Sequence, residues 1–323
     1  ACASARARAP SWPSDVTMPT RLPSWQLFAV AVVIWSTTWH AILYQLAHTT
    51  PEVGVALRFA LAGALALAFA ASRGDRLRCT PREHALLALQ GVFMYSLSYL
   101  CVYHAETHVP SGLVAVGYSA SPLVNGIGAW VLWRTPINAR FLAGGALCVL
   151  GVTLIFWPEI ARAAPGDSTT TGALFTIGAV LLSSVGSLAA TRNATHRLPF
   201  WPALGWGMVY GAALSCVVVL ASGQPLVLPT ALSWWLSLAY LAVAGSVIAF
   251  ACFLALQQRV GPGPASTIGV MTPVLALVVS ALFEGFRPVA LTWLGAALAV
   301  AGNVLILAPK FIRPAPGRSQ ASA

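Results

Sequence analysis

The chain has 323 residues, of which 58% are hydrophobic and only 8% charged, with a formal net charge of +10. A soluble domain carries about 25% charged residues, so there are too few here to cover a water-facing surface, and the mean hydropathy is +0.78. These values exclude a soluble enzyme, a nucleic-acid-binding module and a disordered regulator, and they leave an integral membrane protein that acts on the bilayer or on solutes.

The first 24 residues, rich in Ala, Arg, Ser and Pro, read as a disordered cytoplasmic tail, and Met18 offers a start just ahead of the first apolar run. That run is too long for a secretory leader and has no clear small-residue cleavage site. About 20 apolar residues cross the hydrocarbon core as a helix, and ten such runs follow in order. They are Trp25–Leu46, Glu52–Ala71, His84–Ala105, Pro110–Leu132, Ala139–Trp157, Thr171–Ala190, Trp201–Leu220, Ser233–Leu256, Gly261–Glu284 and Arg287–Ala308. The connections are short and mostly broken by Pro or Gly, which makes neighbouring helices antiparallel. Residues 158–170 form an extracytoplasmic loop and 310–323 a second cytoplasmic tail. With the amino terminus in the cytoplasm, fifteen Lys and Arg residues fall on the inside and two, Arg162 and Arg287, on the outside. That asymmetry supports the count of ten helices and a multi-pass chain with both termini cytoplasmic; the expected location is a bacterial inner membrane.

The two halves repeat. An offset of 151 maps Gly112 to Gly263, Pro122 to Pro273, Gly144 to Gly295, Gly151 to Gly302 and Pro158 to Pro309. It also maps Tyr99 to Phe250 and Cys101 to Cys252, while an offset of 147 maps Phe28 to Phe175 and Ser36 to Ser183. Each half, 25–157 and 171–309, holds five spans, an odd number, so the second half inserts upside down relative to the first. The expected fold is therefore all-α, ten transmembrane helices built from two inverted five-helix repeats, an arrangement that marks secondary transporters.

On these residues the chain resembles the drug/metabolite transporter superfamily, in its ten-helix EamA-type branch. The resemblance runs from about Trp25 to Pro309. It rests on Trp35-Ser36, on Pro51 leading to Leu57-Arg58-Phe59, and above all on Ser121-Pro122-Leu123 to Gly144/Gly151 and Thr272-Pro273-Val274 to Gly295/Gly302. Glu284 closes the ninth span, whereas the first half has Trp133-Arg134 near the corresponding place. The resemblance implies export or exchange of small metabolites, often amino acids or amphipathic compounds.

Polar side chains in lipid are costly and normally face a cavity or another helix. The candidate cavity residues are Ser36, Thr37, Trp39 and His40 in the first span, Arg58 in the second, Tyr95, Tyr99 and Tyr103 in the third, and Tyr118 and Asn125 in the fourth. The second half adds Ser183, Ser187, Thr267, Met271 and Thr272. Each Ser or Thr has an alternative role in close helix packing, and the tyrosines in core packing. Pro122 and Pro273 kink their helices, and each frees a carbonyl four residues upstream that a substrate could use. Arg58 costs about 2.5–3.5 kcal/mol to insert. It serves either as an anchor for a carboxylate or phosphate, or as an ion-pair partner of Glu106 or Glu52, or it snorkels to the outer face. His40 either titrates, which suits proton coupling, or is packed and neutral.

The expected function is secondary active transport by alternating access through a central cavity, exporting or exchanging amino acids or amphipathic and aromatic compounds. The partners are a small-molecule substrate and the lipid bilayer, with no nucleic acid, and a homodimer through the stacked glycines is an open alternative to packing within the monomer. No cofactor and no metal are expected: there is no phosphate loop in the sequence, none of the six cysteines forms a C-x-x-C pair, and no disulfide framework follows from them. Two other functions stand beside transport of this kind: an anion or nucleotide-sugar antiporter, which needs more than one cavity cation, and a membrane-embedded zinc hydrolase using His104, Glu106 and His108.

Overall fold

The computed structural model describes residues 22–109, 111–162, 168–196, 198–223, 228–283 and 289–311. Met18, most of the two tails, Pro110, residues 163–167 of the outer loop, Glu284 and Arg287 lie outside these. Among the described residues there are ten helical passes joined by turns, and no strand. They are α1 Ser24–Leu46, α2 Pro51–Ser72, α3 Pro81–Glu106, α4 (Ser111–Gly117, a 3-10 turn at Tyr118–Ala120, then Ser121–Trp133) and α5 Ala139–Arg162. The second half gives α6 Ser168–Thr195, α7 Phe200–Ala221, α8 Leu232–Val260, α9 (Pro262–Ala265, then Ile268–Phe283) and α10 Ala290–Phe311.

Local sequence sets the ends. Proline stands at the first turn of α2 and of α3, where a missing N–H costs nothing. Thr80 and Glu83 close α3 with a reciprocal capping box. Arg134 adopts a left-handed φ of 54° to stop α4, and Gly261, at φ 89°, separates α8 from α9. Six passes, α1, α2, α3, α6, α7 and α8, are long and apolar enough to cross a membrane by length and composition. The uninterrupted pieces of α4 and α9 fall short because each is broken near its amino-terminal end, ahead of Pro122 and Pro273 respectively. The outward faces are apolar: Leu220, Leu232 and Leu282 are 75%, 71% and 72% exposed, as suits lipid and not water.

The packing obeys an exchange of halves, α1 with α6, α2 with α7, α3 with α8, α4 with α9 and α5 with α10. Helix α1 packs on α8 and α9, and α6 packs on α3 and α4. Likewise α3 packs on α7 and α8 on α2, while three further contacts, α2 with α7, α4 with α9 and α5 with α10, join each helix to its own counterpart. An odd number of passes per half and this pairing give two inverted five-helix repeats. The α5–α10 seam is set by the repeated glycines. A Cβ on Gly144 would lie 2.8 Å from the Gly302 carbonyl oxygen, and one on Gly302 would lie 2.5 Å from that of Gly144. Gly151 and Gly295 face each other in the same way, at 2.5 and 2.4 Å. Between them, Cys148 Sγ donates to the Ala299 carbonyl at 3.6 Å, and those two residues are also 151 apart. These glycines therefore pack the two halves of one chain against each other.

Irregular backbone is placed symmetrically too. A π-helical segment occupies Val92–Leu97 in α3 and another occupies Leu241–Ile248 in α8, overlapping at the offset of 151. Single π turns concentrate at functional positions because they displace one residue from the helical register. The two proline breaks bring Tyr118 and Gly269 together: a Cβ on Gly269 would sit 3.1 Å from the Tyr118 carbonyl oxygen. Pro122 follows the 3-10 turn and stands at the start of the second part of α4, so the break precedes it, whereas Pro273 lies inside the second part of α9.

The seam predicts paired sensitivity. Gly151→Ala and Gly295→Ala each force backbone apart and should cost about 1–3 kcal/mol by overpacking. Both should lower the thermal unfolding midpoint in detergent by similar amounts, whereas alanine at Gly74, which meets nothing within 4 Å but has φ +75°, should cost only its local backbone strain. Unequal responses at Gly151 and Gly295 would argue against a symmetric seam.

Candidate functional site

A cavity of about 100 Å³ lies between the halves. Its wall is assembled from α1 (Trp35, Thr38, Trp39, Ile42), α2 (Arg58), α3 (Met94, Tyr99, Val102) and α4 (Tyr118, Ser121, Asn125). The second half supplies α6 (Ser183, Ser187), α8 (Phe250, Phe253) and α9 (Ser266, Gly269, Thr272). Helices α5, α7 and α10 contribute nothing to the wall among the described residues; they form the seams that hold the lining helices.

Six of the eighteen wall residues are aromatic. Trp35 meets Phe250 edge-on at 5.0 Å and Phe253 at 5.5 Å, and its Nε1 donates to the Gly245 carbonyl at 3.0 Å within the α8 π segment. Trp39 meets Tyr118 at 5.8 Å. The Arg58 guanidinium lies over the Tyr99 ring at 4.6 Å. It is 1% exposed, and its Nε donates to Ser246 Oγ at 2.9 Å while Nη1 is 3.5 Å from the Tyr103 hydroxyl. Tyr103 in turn donates to Gln45 Oε1 at 2.7 Å. Arg58 therefore does not snorkel, and Glu52 is engaged elsewhere, 2.7 Å from His104 Nε2. Asn125 Nδ2 donates to Ser266 Oγ at 2.9 Å and to the Ser121 carbonyl at 3.0 Å. Four wall atoms are buried without a protein partner: Trp39 Nε1, Arg58 Nη2, Ser121 Oγ and Asn125 Oδ1. Buried polar groups are ordinarily hydrogen-bonded, so their convergence on one cavity is a mark of a ligand site.

A polar layer closes one side. Ser187 Oγ donates to Gln257 Oε1 at 2.9 Å, and Gln257 Nε2 donates to the Ser187 carbonyl at 2.8 Å and to Thr191 Oγ1 at 2.7 Å. Ser187 faces the central cavity, while Gln257 and Thr191 line a second cavity of about 30 Å³ beside Gln90 and Asn193. The α6–α8 cluster is thus the partition between the two.

Of the residues singled out from the sequence, Trp39, Arg58, Tyr99, Tyr118, Asn125, Ser183, Ser187 and Thr272 reach the cavity. Ser36 turns to α9, with its Oγ on the Val32 carbonyl and 3.3 Å from that of Thr272. Thr37 and His40 lie on another face of α1, in an outer groove with Tyr44, Ser237 and Tyr240. Tyr95 belongs to the π segment, which takes it out of line with Tyr99; it packs on Phe59 and Phe250 and meets Gln90. Tyr103 holds Arg58 from outside the cavity wall. Thr267 caps the turn inside α9, and its carbonyl accepts from Asn303, while Met271 packs into the core. Trp35, Phe250 and Phe253 were passed over. Helical spacing would have found the first, since Trp35, Thr38, Trp39 and Ile42 fall at i, i+3, i+4 and i+7, and the offset from Tyr99 would have found Phe250.

The zinc reading has no geometry behind it. Helix α3 ends at Glu106, the His108 Nδ1 faces the His104 carbonyl, and among the described residues no three His, Cys, Asp or Glu side chains come together.

Comparison with known proteins agrees with this architecture. The EamA-like transporter family model matches twice, over residues 24–157 and 170–308. The inner membrane transporter YedA of Escherichia coli K12 is 28% identical over 299 residues, covering 90% of this chain and 92% of that protein. The PagO protein of Salmonella typhimurium is 22% identical over 80% of this chain and 84% of its own. A protein of Streptantibioticus cattleyicolor named as a probable terminal-alkyne amino-acid exporter is 26% identical over 87% of this chain and 92% of its own. One crystal structure superposes with a TM-score of 0.73 at 20% identity, covering 89% of this chain and 97% of that one, which speaks to the fold. With both five-helix halves matched and a polar, aromatic cavity between them, this chain belongs to the EamA-like transporter family and is a multi-pass membrane transporter.

Proposed function

We propose that this chain exports or exchanges small amphipathic metabolites by alternating access through the central cavity. The observation that carries the reading is the composition of that cavity: its wall is shared by corresponding helices of both inverted halves, so rocking one half against the other exposes the same side chains to each face of the membrane in turn. The Ser187–Gln257–Thr191 cluster is the barrier on the side of the α6 and α8 carboxyl ends, which the Lys and Arg asymmetry assigns to the cytoplasm of a bacterial inner membrane. The six aromatic side chains of the wall favour cargo with an aromatic or branched apolar body, in keeping with the amino-acid exporter among the relatives. The sequence contains no phosphate loop for nucleotide, so a solute or proton gradient drives the cycle.

Purified protein in proteoliposomes should show counterflow of at least one apolar amino acid or related compound. Ser183→Trp, which fills the cavity, should abolish that flux while the protein still elutes as a single folded species; undiminished flux would remove the cavity from the path. Gln257→Leu leaves the Ser187 hydroxyl without its acceptor, while Thr191 keeps its bond to the Ser187 carbonyl, and should cost about 1–3 kcal/mol of stability. In a background with the native cysteines replaced, it should also speed labelling of Ser187→Cys by a membrane-impermeant thiol reagent applied from the cytoplasmic side. No change in labelling would mean that the cluster is not the barrier. His40 stands outside the cavity wall, so His40→Asn should leave the pH profile of the flux unaltered, and a shifted profile would restore it as a coupling group.

A further inference from the structure

Arg58 is the one charged side chain among the described residues of the cavity wall. Its neighbours hold it from three sides and satisfy only part of the guanidinium. Ser246 takes Nε, the Tyr103 hydroxyl lies by Nη1, and the Tyr99 ring supports the flat face, while Nη2 is buried with no hydrogen-bond partner. Glu106, also buried, attracts the guanidinium through space, but it is not among the residues lining the cavity. The space that Nη2 occupies is provided by the α8 π segment: a Cβ on Gly245 would lie 3.2 Å from it. A fork-shaped cation in a low-dielectric wall, with one N–H vector unused, pairs best with a planar oxyanion.

Resting on the transport reading above, we propose that Arg58 selects the cargo, and that the cargo is a monocarboxylate whose carboxylate accepts from Arg58 Nη2 while its apolar body lies among Trp35, Trp39 and Phe250. A single wall cation compensates one negative charge. A phosphate dianion would leave the second charge buried and unpaired, a cationic compound would be repelled, and a neutral amide would bury its own NH2 donors against the guanidinium donors. Tyr99 and Ser246 act as positioning residues for the guanidinium, and Phe250, at the place of Tyr99 in the other half, serves the apolar body instead.

The test is a matched ligand series on the purified full chain: 3-phenylpropionate, 3-phenylpropionamide and 3-phenylpropylamine, each titrated for thermal stabilisation. The acid should act at a concentration at least about tenfold lower than the amide or the amine, since a hydrogen bond to a charged group is worth that much. Arg58→Gln should bring the acid level with the amide, and Arg58→Lys should retain part of the preference. Equal effectiveness of acid and amide on the wild-type protein, no stabilisation by the acid up to its solubility limit, or an unchanged acid-to-amide ratio in Arg58→Gln would each overturn the proposal. The wild-type comparison stands by itself if Arg58→Gln does not fold. Counterflow of the same compounds separates this proposal from the transport reading: acid-selective binding without flux would sink transport and leave the anchor, whereas equal flux of acid and amide would do the reverse.

Discussion

In hydrocarbon no water is present to satisfy a backbone group that leaves the helical ladder, and each unsatisfied N–H or C=O costs several kcal/mol. The fold is organised around that constraint. Among the described residues, its departures from regular helix within the passes are the π segments of α3 and α8, the 3-10 turn of α4 and the turn inside α9. None of them faces lipid alone: Trp35 donates to the Gly245 carbonyl in one π segment, Met94 of the other lines the cavity, and Tyr118 and Gly269 meet at the two proline breaks. The irregular backbone and the cavity are therefore one feature. The broken helices are possible because they enclose polar space, and the polar space exists because the helices are broken there.

That arrangement needs seams that hold the lining helices together, and backbone-to-backbone contact provides them. At Gly144 with Gly302, and at Gly151 with Gly295, the approach of α5 and α10 leaves no room for a methyl group. Lipid tails are as apolar as leucine side chains, so close packing of small residues, and not hydrophobic burial, holds membrane helices together. The glycines thus do in the bilayer what a leucine core does in water. Helices α2 and α7 repeat the device: a Cβ on Gly63 would meet the Gly205 carbonyl oxygen at 3.2 Å.

The same physics decides what could be read from the amino acids alone. Gly144, Gly151, Pro122 and their partners 151 residues on are fixed by backbone geometry, which tolerates no other side chain, so the duplication and the inverted topology were legible. The cavity wall was legible only in part. Polarity identifies side chains that avoid lipid, but in α1 it cannot tell Thr37 and His40 from Thr38 and Trp39, which differ by rotation about the helix axis. The i, i+4 rule that grouped Tyr95, Tyr99 and Tyr103 assumes a regular α-helix, and the π segment at Val92–Leu97 breaks that assumption at Tyr95. No residue in that stretch announces a π turn. Trp35 and Phe253 were missed for the opposite reason, since an apolar aromatic side chain in an apolar helix carries no sign of facing a cavity.

The frame is symmetric and the wall is not, and the difference lies in a few side chains. Duplication supplied two equivalent π segments, occupied at corresponding places by Met94 and Gly245. Met94 is bulky and lines the cavity, whereas Gly245 opens the space into which the Arg58 guanidinium fits. Helix α7, the counterpart of α2, spans Phe200–Ala221 without a basic residue, so the charge is placed on one half only. Tyr99 and Phe250 diverge in step: the first lies under the guanidinium, and the second packs on Trp35. On the transport reading proposed above, a symmetric frame gives the cavity equivalent routes to either face of the bilayer, while an asymmetric wall gives the cargo a head and a tail. A duplicated chain reaches both by keeping its glycines paired and letting its wall residues drift apart.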